Sequence, residues 1–75
     1  MNYRDFNETM RTNVANLINQ AAGADTAQPD DIVVLWTDGM LELHRGLCWY
    51  GERLYMVSYN SLTDTWTIDT YTKNV

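Results

Sequence analysis

Cysteine occurs once in this chain, as Cys48, so no disulfide can form within it. Histidine also occurs once, as His44, and no grouping of His and Cys has the spacing of a zinc site. Basic residues are scarce: Lys and Arg number 5 against 10 Asp and Glu, giving a formal net charge of −5. That balance argues against direct binding of nucleic acid or of an anionic membrane, because phosphates are met by Lys and Arg. Apolar runs are short, well under the roughly 20 residues that cross a bilayer. The start, Met1-Asn2-Tyr3-Arg4-Asp5, lacks the apolar stretch of a signal peptide. A free thiol with no export signal reads as cytosolic. Gly-rich phosphate loops, Walker sequences and dinucleotide fingerprints are also missing.

What is present is a short, aromatic-rich chain of 75 residues, read as a single domain over 1–75. At this size, burial at about 25 cal/mol per Å² barely exceeds an ordering cost of about 1.5 kcal/mol per residue. The domain therefore packs unusually well or gains core by association, as a homodimer or in a heterocomplex. Hydrophobic content of 45%, with 3 Trp and 5 Tyr, argues against disorder. Charge is uneven. Residues 1–24 balance, Arg4 and Arg11 against Asp5 and Glu8, so the acidic excess lies entirely in the remainder.

Phe6, Met10, Val14, Leu17, Ile18 and Ala21 recur at helical spacing and predict one helix over about 3–22. Asn2 or Asp5 can cap it, and Gly23 is its stop signal. A polar connection follows over 23–31, containing Pro29. Its acids Asp25, Asp30 and Asp31 lack the alternating spacing of a calcium loop. The run Ile32-Val33-Val34-Leu35-Trp36-Thr37 then enters Asp38-Gly39, a strong hairpin signal, and leaves into Met40-Leu41. This predicts a central strand over about 32–37, then a long strand over 40–50 bent by a bulge at Gly46. Gly51-Glu52 suits a second two-residue turn, with strands over 53–60 and 65–72 separated by Ser61-Leu62-Thr63-Asp64. The expected architecture is α+β: one N-terminal amphipathic helix packed on a four-stranded antiparallel meander.

One helix covers one face of such a sheet and leaves the other bare. If Leu54, Met56, Trp66 and Ile68 meet the helix, then Tyr55, Tyr59 and Tyr71 with Val57 form a tyrosine-rich outer face. Such a face either marks an interface or shields the sheet with hydroxyls in water. Catalysis has little to build on. His44 and Cys48 on one strand would sit roughly 13 Å apart at about 3.3 Å per residue, too far for a nucleophile–base pair. The expectation is a protein that is not an enzyme, with no cofactor and no metal. The acids of the β-rich part read either as ordinary solubility or as a local patch for a basic partner. The candidate partner-binding residues are Asp38, Glu42, Trp49, Glu52, Tyr55, Tyr59, Asp69 and Tyr71.

In its length, its helix start at Met1-Asn2-Tyr3-Arg4-Asp5, its acidic meander and its aromatic surface, the chain resembles small acidic phage and mobile-element inhibitors of host machinery. Anti-CRISPR proteins belong to that class. No motif accompanies the resemblance, so no residue role is carried over. The resemblance implies a non-enzymatic inhibitor in the host cytoplasm, occupying a basic surface of a nucleic-acid-handling defence complex. The alternative is a structural homodimer that packs through the outer sheet face, with no foreign target.

Overall fold

The computed structural model describes residues 3–72. Helix α1 spans Tyr3–Ala22, a 3-10 turn spans Pro29–Asp31, and four strands follow: β1 Val33–Met40, β2 Leu43–Tyr50, β3 Arg53–Asn60 and β4 Thr65–Thr72. The strands form one antiparallel sheet in the order β1-β2-β3-β4, with α1 laid on one face. The strand expected at the centre, β1, is therefore an edge strand, because a meander in chain order puts its first strand at the border. The fold is α+β, a helix on a meander.

The helix buries Phe6, Met10, Val14 and Ala15 and half-buries Ile18. Full burial of each large apolar side chain contributes about 1.5–3 kcal/mol. Leu17 and Ala21, expected on the same stripe, are exposed. Asp5 lies inside the first turn, at the positive end of the dipole; the expected cap at Asn2 lies outside the described residues. Gly23 ends the helix in left-handed conformation (φ 70°), and the N–H groups of Gly23 and Ala24 both donate to the Asn19 carbonyl. The Asn19 side chain then ties down the connection. Its Oδ1 accepts from the N–H of Thr26 (2.9 Å) and Ala27 (2.8 Å), and its Nδ2 donates to the Ala27 carbonyl (2.9 Å).

The first hairpin does not turn at Asp38-Gly39. Both residues lie inside β1, opposite Arg45 and His44, and the chain reverses at Leu41-Glu42. The reason is pairing length. A turn at Asp38-Gly39 would oppose the strand over 32–37 to residues 40–45 and leave 46–50 without a partner on that side. The later turn pairs β1 with the whole of β2, at the cost of holding Leu41 at φ 56°. The irregularity in this pair falls in β1, between Val34 and Trp36, and not at Gly46. Across Gly46 the ladder to β3 is unbroken. Gly51-Glu52 is the second turn, with Gly51 at φ 62°.

Gly46 has a different role from the bulge expected of it. A Cβ there would lie 2.5 Å from Met10 Sδ, so the helix rests on the sheet at this point. Residues in register with Gly46 therefore face the helix: Val57 is opposite it, and Tyr55 and Tyr59 lie two positions away on the same face. These three complete the core with Ile32, Ala27 and Cys48.

Candidate partner-binding surface

Register alone assembles the face opposite the helix. Across the four strands, Val33, Trp49, Leu54 and Tyr71 form one row, and Trp36, Leu47, Met56 and Asp69 form the next. The row beyond is polar, running Asp38, Arg45, Ser58 and Thr67. Two adjacent rows thus make an apolar band with Asp69 at its β4 end. Trp36 is 40% exposed, Trp49 43% and Tyr71 54%, values far outside the range of core aromatics. The Trp49 indole N–H donates to the Gly51 carbonyl, which fixes the ring at the β2–β3 end of the band.

This reverses the face expected from sequence. Tyr55 (4% exposed) and Tyr59 (8%) lie under the helix, so neither is placed to meet a partner. Leu54 and Met56, expected against the helix, face outward. The expected grouping of Leu54 and Met56 with Trp66 and Ile68 also fails. The loop Ser61–Asp64 sets Asn60 opposite Thr65, so Trp66 pairs with Tyr59 and Ile68 with Val57, on the helix side. Asp38, Trp49, Asp69 and Tyr71 are on the outer face; Glu42 and Glu52 sit in the turns at its two ends.

The acids differ in how far they are already satisfied. Asp38 accepts a two-pronged contact from Arg45, Nη2 to Oδ2 at 3.0 Å and Nε to Oδ1 at 3.3 Å. Both side chains are about half exposed, so the pair adds at most about 1 kcal/mol. Glu42, Glu52 and Asp69 make no side-chain hydrogen bond or ion pair among the described residues. Their charge remains available at the border of the apolar band.

The two residues with nucleophile and base chemistry lie on the opposite face. His44 packs beside Phe6 (ring centroids 5.5 Å) and Tyr59 (6.5 Å). Cys48 is fully buried, and burial pushes its thiol up to about 11, with the Arg11 charge opposing the shift. Such a thiol carries almost no thiolate at neutral pH. Tyr59 donates to Asp64 Oδ1 at 2.9 Å; this bond, then desolvation and the Asp64 charge, raise the phenol above its ordinary range. Among the described residues, no group of three His, Cys, Asp or Glu is placed to hold a metal ion. Nor is any helix long and apolar enough to cross a membrane.

Fold and surface together define a helix-on-meander domain with one sheet face covered by the helix and the other uncovered among the described residues. Comparison with protein-family models, with curated proteins and with solved structures returns no match.

Residues missed from sequence are Val33, Trp36, Leu47, Leu54 and Met56. The signal for them was parity. Gly51-Glu52 sets Tyr50 opposite Arg53, hence Gly46 opposite Val57. A glycine inside a strand marks either a bulge or a close approach. The second choice puts Val57, Tyr55 and Tyr59 under the helix and Leu54 and Met56 outside.

Proposed function

We propose that this chain is a non-enzymatic protein-binding protein whose outer sheet face docks on a partner with a basic surface. The observation that carries the reading is the uncovered band of Trp36, Trp49, Leu47, Leu54, Met56 and Tyr71, bordered by the unpaired carboxylates Asp69 and Glu52. Aromatic anchors in an apolar centre with a charged rim are the anatomy of a specific interface. Partners of this kind are common among nucleic-acid-handling proteins, which carry basic surfaces for phosphate. The function we put forward is inhibition of such a complex by occupation of that surface, the role also implied by the likeness to phage and mobile-element inhibitors.

The test is capture of partners from a lysate of the host cell by wild type and by Trp49→Asp, at low and high salt, followed by nucleic-acid binding of the captured partner. Retention by wild type, loss with Trp49→Asp, weakening by salt and a partner that no longer binds nucleic acid when saturated are expected. Equal capture by both proteins, or undiminished nucleic-acid binding, overturns the proposal.

One observation favours a second reading. Arg45 already neutralises Asp38, so the centre of the outer face is less acidic than composition suggests. Two copies packed through their apolar bands would then form a structural homodimer. A salt-resistant dimer abolished by Trp49→Asp, with no partner captured, would establish it.

A further inference from the structure

We infer that β4 is an open edge built to pair with the β4 strand of a second copy, extending the sheet across a two-fold axis at Ile68. The contact runs along the strand edge and leaves the outer face at Trp36 and Trp49 uncovered, and the inference does not depend on the function proposed above. The two edges of the sheet differ. On β1 the bulge between Val34 and Trp36 interrupts the strand, a common device against edge pairing. By contrast, β4 pairs in unbroken register with β3 over Thr65–Thr72 and, among the described residues, has no strand on its other side. It contains no proline, glycine or lysine, and its one charged residue, Asp69, points to the outer face. Its row of backbone N–H and C=O groups is therefore presented without the usual guards.

The sequence of β4 selects the occupant. In an antiparallel pair, opposed residues must lie on the same face of the sheet. Two symmetric registers satisfy this while engaging nearly the full strand, one centred on Ile68 and one on Asp69. Centring on Asp69 sets that carboxylate against its own copy, and like charges directly opposed destabilise a sheet. Centring on Ile68 pairs residues 65–71 of each chain and separates the two carboxylates. Ile68 then meets Ile68 on the helix side, Trp66 meets Thr70, and on the outer face Asp69 meets the Thr67 hydroxyl and Tyr71 meets Thr65. Trp66 and Ile68 are only half-buried in one chain and would gain cover from the copy. A short chain with a thin core is the kind that benefits from such an addition. Both outer faces end on the same side of the joined sheet and stay accessible.

The experiment uses the full chain. Native mass is recorded across a dilution series for wild type and Ile68→Lys, and Ile68→Cys and Trp49→Cys proteins are oxidised mildly. The native thiol, Cys48, is fully buried and stays silent. A wild-type mass of two chains is expected, falling to one chain in Ile68→Lys, with far-ultraviolet circular dichroism confirming that the variant folds. Ile68→Cys is expected to become a disulfide-linked dimer, because opposed Cα atoms of an antiparallel pair lie about 4.5–5.5 Å apart, within the span a disulfide bridges, while Trp49→Cys remains unlinked. A single-chain mass for wild type at its highest soluble concentration overturns the inference. So does a dimer linked through Trp49→Cys in place of Ile68→Cys, which would mean that copies meet through their outer faces.

Discussion

The two faces of the sheet have similar composition and opposite fates. One carries Tyr55, Val57, Tyr59, Trp66 and Ile68 and lies on the helix side; the other carries Trp36, Trp49, Leu54, Met56 and Tyr71 and is covered by no element among the described residues. Apolar content does not distinguish them. What does is the point of closest approach, where Met10 sits on Gly46, since Tyr55, Val57 and Tyr59, in phase with that glycine, are the residues buried on the helix side. The sharpest way to break this comparison is to truncate one tyrosine on each face. Tyr55→Ala is expected to cost about 3–5 kcal/mol in urea unfolding, as other buried aromatics do. Tyr71→Ala should change stability by about 0.5 kcal/mol or less. Equal costs would mean that the faces are wrongly assigned.

Much of the fold was legible because its signals are local. The helix over 3–22, the stop at Gly23, the Gly51-Glu52 turn and the last two strands follow from periodicity and turn chemistry. What was misread depended on contacts between distant residues. Asp38-Gly39 carries a stronger turn signal than Leu41-Glu42, yet full pairing of β1 with β2 outweighs it. That preference is invisible until the length of β2 is known. Of the candidate surface, Trp49, Asp69 and Tyr71 were placed on the uncovered face and Tyr55 and Tyr59 were not. Alternation defines two faces but does not say which one the helix takes. The answer lay in Gly46, whose two structural meanings separate only once a helix is set above it.

The covered face should also show itself in alkali. The unfolded Cys48 thiol ionises near its ordinary value of 9.0, whereas in the fold burial holds it protonated to about 11. Its contribution is thus fully present below pH 9 and is lost as pH rises toward 11, at about 1.4 kcal/mol per pH unit. The total approaches about 3 kcal/mol. The raised phenol of Tyr59 acts in the same direction at higher pH, since it too keeps its proton better when folded. Urea midpoints recorded from pH 8 to 11 should fall steadily, and Cys48→Ala should flatten that fall. A wild-type profile no steeper than that of Cys48→Ala would show that the thiol is not enclosed.

The smallest effect tests the contact that separates the two faces. A methyl group at Gly46 would lie 2.5 Å from Met10 Sδ, 2.9 Å from Met10 Cε and 3.3 Å from Thr37 Cγ2. The nearest atoms belong to the flexible end of a methionine, but Met10 is fully buried and has little room to retreat. Gly46→Ala should therefore cost about 1–2 kcal/mol, the lower range for overpacking. A packing loss of that size at an ordinary strand position could have other origins, so the informative quantity is its coupling to Met10. Met10→Leu replaces the thioether end with a shorter, branched one of similar volume and should by itself cost less than about 1.5 kcal/mol. In that background the added methyl has more room, and the two costs should fall short of additivity by at least about 0.5 kcal/mol. Strict additivity would mean that Met10 does not bear on Gly46. The helix would then owe its choice of the Tyr55 face over the Trp49 face to some contact other than Met10 on Gly46.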